Sequence, residues 1–263
     1  MTRLPLPHSL FRAALANPAA PALGTWVKLP AVESMELVGL AGFDFAVIDM
    51  EHSALSLETV HRLIGTALFS GVSPIVRIPS LDGSIVQRVL DAGAEGIMLP
   101  HVDTVEQASA AAHAVRFPPL GGRGVGSTSR AGQWGAMSRA DYLRYGQEEV
   151  VLIVQIESAE AARNAGAIAA VAGVDALLIG AADLSTSEGT TESDARVIEI
   201  IAAAIRDTTA AGVPIGNAGS PTAASVQASV DAGYAFTIMG NDASMLGDAA
   251  AAALSAGRAV RYA

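Results

Sequence analysis

Short apolar runs alternate with longer amphipathic segments along most of this 263-residue chain. Run length distinguishes the two types of element where periodicity alone does not, so each short run predicts a buried strand and each longer segment predicts a helix. The pattern resolves into eight strand–helix units. The predicted strands are 25–29, 45–49, 73–77, 96–100, 151–156, 176–179, 213–216 and 235–239.

Strand–helix alternation is typical of a parallel sheet with crossover helices, and eight units favour a closed barrel over an open doubly wound sheet. We therefore expect an α/β fold in which residues 1–263 form a single (β/α)8 TIM barrel domain. Residues 1–23 are expected to form an N-terminal extension whose short helix, Ser9 to Ala16, covers one end of the barrel. The other predicted helices are 31–41, 56–69, 82–92, 104–115, 159–172, 194–211, 221–232 and 242–256.

One connection, residues 117–149, is much longer than an ordinary loop and rich in glycine. Loops of this length are usually functional excursions rather than linkers. Arg123 and its neighbouring glycines suit either an anion site built from backbone amides or a loop that packs under a subunit interface.

The composition narrows the function. A net charge of −10 and a pI near 4.9 argue against a nucleic-acid partner, whose phosphates require clustered lysine and arginine. Cysteine is absent, which excludes disulfides, thiolate metal ligands and a thiol nucleophile. No apolar stretch approaches the ~20 residues of a membrane span, and the N-terminus lacks the apolar core of a signal peptide. We therefore expect a soluble, cytoplasmic protein with no membrane partner.

Charged side chains follow four of the predicted strands. In a (β/α)8 barrel the carboxyl ends of the strands converge on the face that holds the active site. Strands five and six are neighbours, so their terminal acids can share one hard cation, for which Mg²⁺ or Mn²⁺ is suited. The charged residues are Asp49, Glu51 and His52 after strand two, Arg77 in strand three, Glu157 after strand five and Asp183 after strand six.

Structural explanations exist for each of these residues. An acid at a strand end can cap the next helix, which applies to Glu157 and Asp183. His52 can be a surface histidine, and Arg77 can belong to a structural ion pair. Among the other histidines, His61 and His113 lie within predicted helices, and we expect His101 to be at most a wall of the pocket. The glycines at 216–219 and Gly240 lie where barrels often bind phosphate.

In five segments, which occur in family order from Gly24 to about Gly247, the chain resembles the HpcH/HpaI class II pyruvate aldolases. The segments together indicate the family more strongly than any one of them. They are Ile48-Asp49-Met50-Glu51-His52, Val76-Arg77-Ile78-Pro79, Arg123-Gly124-Val125-Gly126, Gln155-Ile156-Glu157-Ser158 and Gly180-Ala181-Ala182-Asp183-Leu184-Ser185.

The resemblance implies a role for each matching residue. Glu157 and Asp183 would bind the divalent metal, with Mg²⁺ or Mn²⁺ expected and Co²⁺ among the other possible ions. Arg77 would face the 2-oxo oxygen, and His52, oriented by Asp49, would handle the proton. The remaining substrate contacts would come from the backbone near Ala182 and Asp183 and from the side chains of Gln155 and Trp26.

The implied activity is the reversible retro-aldol cleavage of a 4-hydroxy-2-oxo acid to pyruvate, or a close 2-oxo acid, and an aldehyde, through a metal-stabilised enolate. The only lysine, Lys28, is expected to lie away from the position that a Schiff-base aldolase uses. The family also implies a homohexamer built from dimers that exchange the helix 242–256.

Three departures from the family pattern leave the substrate range open, one of which is that the segment 185–191 lacks the usual Gly/Pro-rich ending. Ala181 stands where the family usually has proline, and the end of strand seven is unusually polar around Asn217. Two alternative functions therefore remain. One is a related enolate-forming lyase or decarboxylase of the oxaloacetate type, and the other is a phosphate-binding barrel without lyase activity.

Overall fold

The computed structural model describes residues 7–261 and contains a closed barrel of eight parallel strands in sequence order. Each strand pairs in parallel with the next, and β8 pairs with β1. The predicted (β/α)8 barrel is therefore confirmed. The strands are β1 Ala22–Val27, β2 Phe45–Asp49, β3 Ser73–Arg77, β4 Gly96–Leu99, β5 Val151–Ile156, β6 Ala176–Ile179, β7 Ile215–Gly219 and β8 Phe236–Asn241.

Helices connect successive strands and cover the outside of the barrel. Many begin at a residue whose side chain accepts a hydrogen bond from a backbone N–H in the first turn. They are α1 Leu10–Leu15, α2 Val32–Ala41, α3 Leu57–Phe69, α4 Gly83–Asp91, α5 Val105–Val115, α6 Arg139–Glu148, α7 Ala159–Ala169, α8 Ala181–Ser187, α9 Ala195–Ala210, α10 Ala223–Asp231 and α11 Asp242–Arg258.

The structure differs from the sequence-based elements in four places. Strand β1 begins and ends earlier than predicted, and β7 lies about two residues later. The long connection contains a 3-10 segment, Arg130–Gly135, and helix α6. Helix α8 follows β6 and was not predicted, because its polar sequence has no apolar periodicity.

Side chains alternate between the barrel interior and the helix layer along each strand. In β5, Val151 and Ile153 pack in the interior cluster, whereas Leu152 and Val154 pack in the cluster under the helices. The same alternation directs Gln155 inward at the carboxyl end of the strand. A residue near the end of a strand thus reaches the active-site face from inside the barrel only if it occupies an inward-facing position of that strand.

The N-terminal helix closes the opposite end of the barrel. Phe11 of α1 is fully buried and makes edge-to-face contacts with Phe45 and Phe236, with ring centroids 5.0 and 5.3 Å apart. Such aromatic pairs contribute ~0.5–1.5 kcal/mol each beyond their buried area. Buried Glu95 fixes the start of this helix by accepting hydrogen bonds from the N–H of Leu10 and the hydroxyl of Ser73.

The excursion between α5 and β5 is fastened to the outer helices by two arginines. Arg123 is buried and donates to Asp91 at 2.8 Å and to Tyr142 at 3.3 Å. Arg130 donates to the carbonyls of His61 and Ala92. The guanidinium of Arg123 is therefore engaged in intramolecular packing of this loop.

Candidate active site

The predicted site residues meet at the carboxyl end of the barrel around a cavity of about 160 Å³. Their inward-facing positions in the strands and the parallel register of the strands bring them together. Asp49 and Arg77, for example, are register partners on β2 and β3. Asp49 lies beneath the cavity and is fully buried. The other predicted residues line it: Trp26, His52, Arg77, Gln155, Glu157, Ala182 and Asp183.

Arg77 and Asp49 form a two-pronged ion pair. The Nε and Nη2 atoms of Arg77 donate to the two carboxylate oxygens of Asp49 at 3.0 and 2.8 Å. The Arg77 guanidinium also lies 4.1 Å from the ring centroid of Trp26, a cation–π contact. Paired planar groups of this kind fix the direction of the guanidinium, so Nη1 is held at a defined position.

Asp49 is surrounded by further donors. It accepts the backbone N–H groups of Glu51 and His52, and Lys28 Nζ lies 3.4 Å from its Oδ2. Burial by itself raises the pKa of Asp49, but the hydrogen bonds and charge of Arg77, the N–H of His52 and the charge of Lys28 outweigh burial, so the net pKa is lowered. Asp49 is a buried anion that organises the loop after β2.

Two contacts in this region add detail to the sequence expectations. Asp49 accepts from the backbone N–H of His52, and Glu51 Oε2 lies 3.8 Å from the ring nitrogen Nε2 of His52. Lys28 follows β1 directly, and its ammonium group lies 3.4 Å from Oδ2 of the buried Asp49. The single lysine is thus a charge partner of Asp49.

Glu51 has a larger part in the site than its sequence context indicated. Its Oε2 lies 3.1 Å from Arg77 Nη1, and its Oε1 lies 3.1 Å from Nε2 of His101. His101, in the loop after β4, also contacts Glu157 through its backbone N–H and its ring Nδ1, each at 3.1 Å. Titratable residues at the carboxyl ends of strands two, three, five and six are the site candidates that the sequence indicates. The same rule applied to strand four identifies His101.

Glu157 is buried at the end of β5 and packs closely against the end of β6. Its Oε1 accepts a hydrogen bond from Gln155 Nε2 at 2.6 Å. A Cβ at Gly180 would lie 2.6 Å from Glu157 Cγ, so glycine at this position leaves room for the acid. Burial raises the pKa of Glu157, the N–H and ring of His101 lower it in part, and the charges of Asp183 and Glu51 raise it again.

Asp183 lies in the first turn of α8, with its side chain exposed to the cavity. The described residues include no cluster of three or more His, Cys, Asp or Glu side chains with metal-binding geometry. Two carboxylates that face one cavity, with the charge of Asp183 raising the pKa of Glu157, nevertheless fit a hard divalent cation that takes its other ligands from water and substrate.

The polar end of β7 is used within the barrel wall. The Asn217 side chain donates to Ser229 of α10 and accepts from Thr237 of β8. A Cβ at Gly216 would lie 2.3 Å from the ring of Phe236, so this glycine is required for packing. Neither the oxaloacetate-type lyase nor the phosphate-binding barrel gains support from this strand.

Glu192 lines the cavity from the loop after α8, and no sequence pattern around it indicates a site residue.

No helix among residues 7–261 combines the length and apolar character needed to cross a membrane.

Comparison with known proteins agrees with the family that the sequence motifs indicate. Residues 22–249 match the family model described as HpcH/HpaI aldolase/citrate lyase. The chain is 37% identical over 234 residues to a 2-dehydro-3,6-dideoxy-6-sulfogluconate aldolase from Pseudomonas putida, covering 88% of this chain and 90% of that protein.

Other relatives cover nearly the whole chain. A hydroxypyruvate/pyruvate aldolase from Delftia acidovorans is 37% identical over 259 residues, which is 97% of this chain and 95% of the relative. The crystal structure of an HpcH/HpaI aldolase from Desulfitobacterium hafniense superposes with a TM-score of 0.90 at 29% identity, covering 97% of this chain and 98% of that one. The chain therefore belongs to the HpcH/HpaI aldolase/citrate lyase family, as its sequence motifs predicted, and is an enzyme of the lyase class.

Proposed function

We propose that this enzyme catalyses the metal-dependent, reversible retro-aldol cleavage of a 4-hydroxy-2-oxo acid to pyruvate, or a close 2-oxo acid, and an aldehyde. Relatives that cover most of the chain carry the names of aldolases, including hydroxypyruvate/pyruvate aldolase. The observation that carries the proposal is the arrangement of one cavity, with two carboxylates, Glu157 and Asp183, and the cationic Arg77 along its wall.

Glu157 and Asp183 are the residues that would hold the cation. When bound, a divalent cation supplies a Lewis acid for the carboxylate and 2-oxo oxygens of the substrate. The backbone amides of Ala182 and Asp183 lie in the first turn of α8, where N–H groups have no intrahelical acceptor, and they bind the substrate carboxylate. Gln155 and Trp26 complete the pocket wall.

Arg77 stabilises the negative charge that develops on the 2-oxo oxygen as the C3–C4 bond breaks. Asp49 holds Nε and Nη2, so Nη1, which lies 3.1 Å from Glu51 Oε2 and donates to Gln155 Oε1 at 3.5 Å, is the nitrogen that would exchange one of these contacts for a substrate oxygen. A preoriented donor of this kind loses no free energy to reorganisation during the reaction. The exposed ring of His52 lines the same cavity and takes the C4 hydroxyl proton, directly or through one water molecule.

The test is direct. Enzyme treated with EDTA is expected to release no pyruvate from 4-hydroxy-2-oxo acids, and addition of Mg²⁺ or Mn²⁺ is expected to restore release, measured by coupling pyruvate to lactate dehydrogenase. A panel that includes oxaloacetate distinguishes the aldolase from a decarboxylase. Failure of the metal-loaded enzyme to cleave every member of the panel, or to exchange pyruvate methyl protons with deuterium, would reject the proposal.

We also propose that the enzyme is a homo-oligomer, a hexamer built from three dimers that exchange α11. Only Asp242 of this helix is buried within one chain, and its apolar side chains Leu246 and Leu254 are exposed. An apolar groove of about 450 Å³, lined mainly by Leu37, Val38 and other residues of β1–α2, lies beside its first turn. A second copy's helix matches the chemistry of this groove.

Light scattering coupled to size exclusion is expected to give the mass of six chains. Leu246→Asp and Leu254→Asp together place charge in the proposed helix contact and are expected to produce smaller species. A monomer for the unaltered protein would contradict the exchange.

A further inference from the structure

His101 joins the two halves of the candidate active site. Its Nε2 lies 3.1 Å from Glu51 Oε1, on the side of Arg77. Its Nδ1 lies 3.1 Å from Glu157 Oε2, on the side of the proposed cation. An imidazole carries at least one N–H in every protonation state, so at least one ring nitrogen presents a donor to a carboxylate oxygen 3.1 Å away.

The backbone at His101 is held in an unusual conformation. Its φ is +56°, one of three positive φ values at non-glycine residues in the described part of the chain. Left-handed backbone is unfavourable for residues with a Cβ and persists where the surrounding structure enforces it, often in functional sites. Here the conformation directs both the N–H and the ring of one residue to the same oxygen, Glu157 Oε2.

The Glu157 carboxylate is consequently fixed from both sides. Gln155 donates to Oε1, and His101 approaches Oε2 twice. Groups that hydrogen-bond a metal-ligating carboxylate orient it and set its affinity for the ion. His101 differs from Gln155 in that it also reaches Glu51, which contacts Arg77 Nη1 at 3.1 Å.

We propose that His101 is a positioning residue that fixes Glu157 for cation binding and Glu51 for contact with Arg77, so that the cation and the guanidinium face one substrate together. This inference rests on the proposed function for the identity of the bound cation. It assigns no chemical step to His101. The ring acts through the two carboxylates it touches.

The experiment separates the effect of the imidazole ring from the effect of the strained backbone. His101→Gly removes the ring but keeps the backbone N–H and accepts a positive φ without strain. His101→Asn also tolerates left-handed backbone and keeps a side-chain donor. We expect His101→Gly to raise the Kd for Mn²⁺, measured by isothermal titration calorimetry, at least about tenfold, and His101→Asn to lie between it and the unaltered enzyme.

Gln133→Gly is the matched control. Gln133 also has a positive φ, +51°, but lies in the 3-10 segment that packs against α4, outside the site. It is expected to leave the Kd for Mn²⁺ unchanged. A thermal melt of metal-free His101→Gly checks that the Kd is measured on folded protein, since relief of backbone strain and loss of the ring contacts have opposite effects on its stability.

Each result has a defined meaning. An unchanged Kd for Mn²⁺ in His101→Gly, while the unaltered enzyme binds Mn²⁺ and cleaves its substrate, would overturn the positioning role alone. Weaker Mn²⁺ binding matched by an equal loss in Gln133→Gly would also overturn it, because strain relief rather than the ring would then be the cause. If the unaltered enzyme binds no Mn²⁺, the proposed function fails and the inference fails with it.

Discussion

Replacement of Arg77 with alanine is expected to lower kcat/KM for retro-aldol cleavage by ~10²–10³-fold, the usual cost of removing one preoriented donor from a developing oxyanion. It is also expected to destabilise the protein, because Asp49 is fully buried and would keep Lys28, at 3.4 Å, as its cationic partner beside the N–H groups of Glu51 and His52. Breaking a buried ion pair by removing one partner typically costs ~3–5 kcal/mol. Pyruvate release and urea unfolding measure the two effects separately.

Arg116 provides the matched control. It is another buried arginine, paired with Asp175 at 2.6 Å, but it lies at the amino-terminal end of the barrel strands. Arg116→Ala should lose a comparable amount of stability and keep the kcat/KM of its folded fraction. Equal activity losses in the two variants would show that Arg77 acts through stability alone.

Glu157→Gln is the second large effect we expect. The exchange keeps the shape of the side chain and removes its charge, and the loss of a Lewis acid worth several kcal/mol corresponds to about 10³-fold in rate. The thermal melt of the metal-free variant measures two opposing effects: the charge beside Asp183 and Glu51 is removed, but the new amide NH2 faces either Gln155 Nε2 or the His101 N–H, both of which donate to Glu157. Calorimetry with Mn²⁺, a rate assay and a thermal melt give the three values.

Glu95→Gln tests whether any buried acid would behave in this way. Burial raises the pKa of Glu95 too, but this residue binds Ser73 and Leu10 at the closed end of the barrel. Its replacement is expected to leave Mn²⁺ affinity and the rate unchanged. Retention of tight Mn²⁺ binding by Glu157→Gln would show that Glu157 does not bind the cation. The proposed mechanism would then lose its central support.

The site is a continuous chain of contacts in which acidic and basic side chains alternate. Lys28 contacts Asp49, Asp49 contacts Arg77, Arg77 contacts Glu51, and His101 links Glu51 to Glu157. Each buried charge therefore has a partner of opposite sign or a hydrogen-bond donor, which compensates for its removal from water. Substitution at one position is expected to perturb its neighbours, so effects of neighbouring substitutions should not add.

Strand parity explains why several site residues were predictable. Asp49, Arg77 and Gln155 each follow an inward-facing apolar residue two positions earlier: Val47, Ile75 and Ile153. Because side chains alternate strictly along a strand, the sequence directs all three into the barrel. Parallel pairing in sequence order then brings the strand ends to one face.

The sequence by itself thus determined the barrel, its closing N-terminal helix and the charged strand ends, since these follow from local periodicity and run length. Only the tertiary structure decided the parts that depend on loop paths. A positive φ turns His101 back toward Glu157, and the turn after β1 brings Lys28 to Asp49. Loop paths are set by contacts between residues far apart in the chain, as between Asp242 and the N–H groups of Lys28 and Leu29, and no local pattern encodes them.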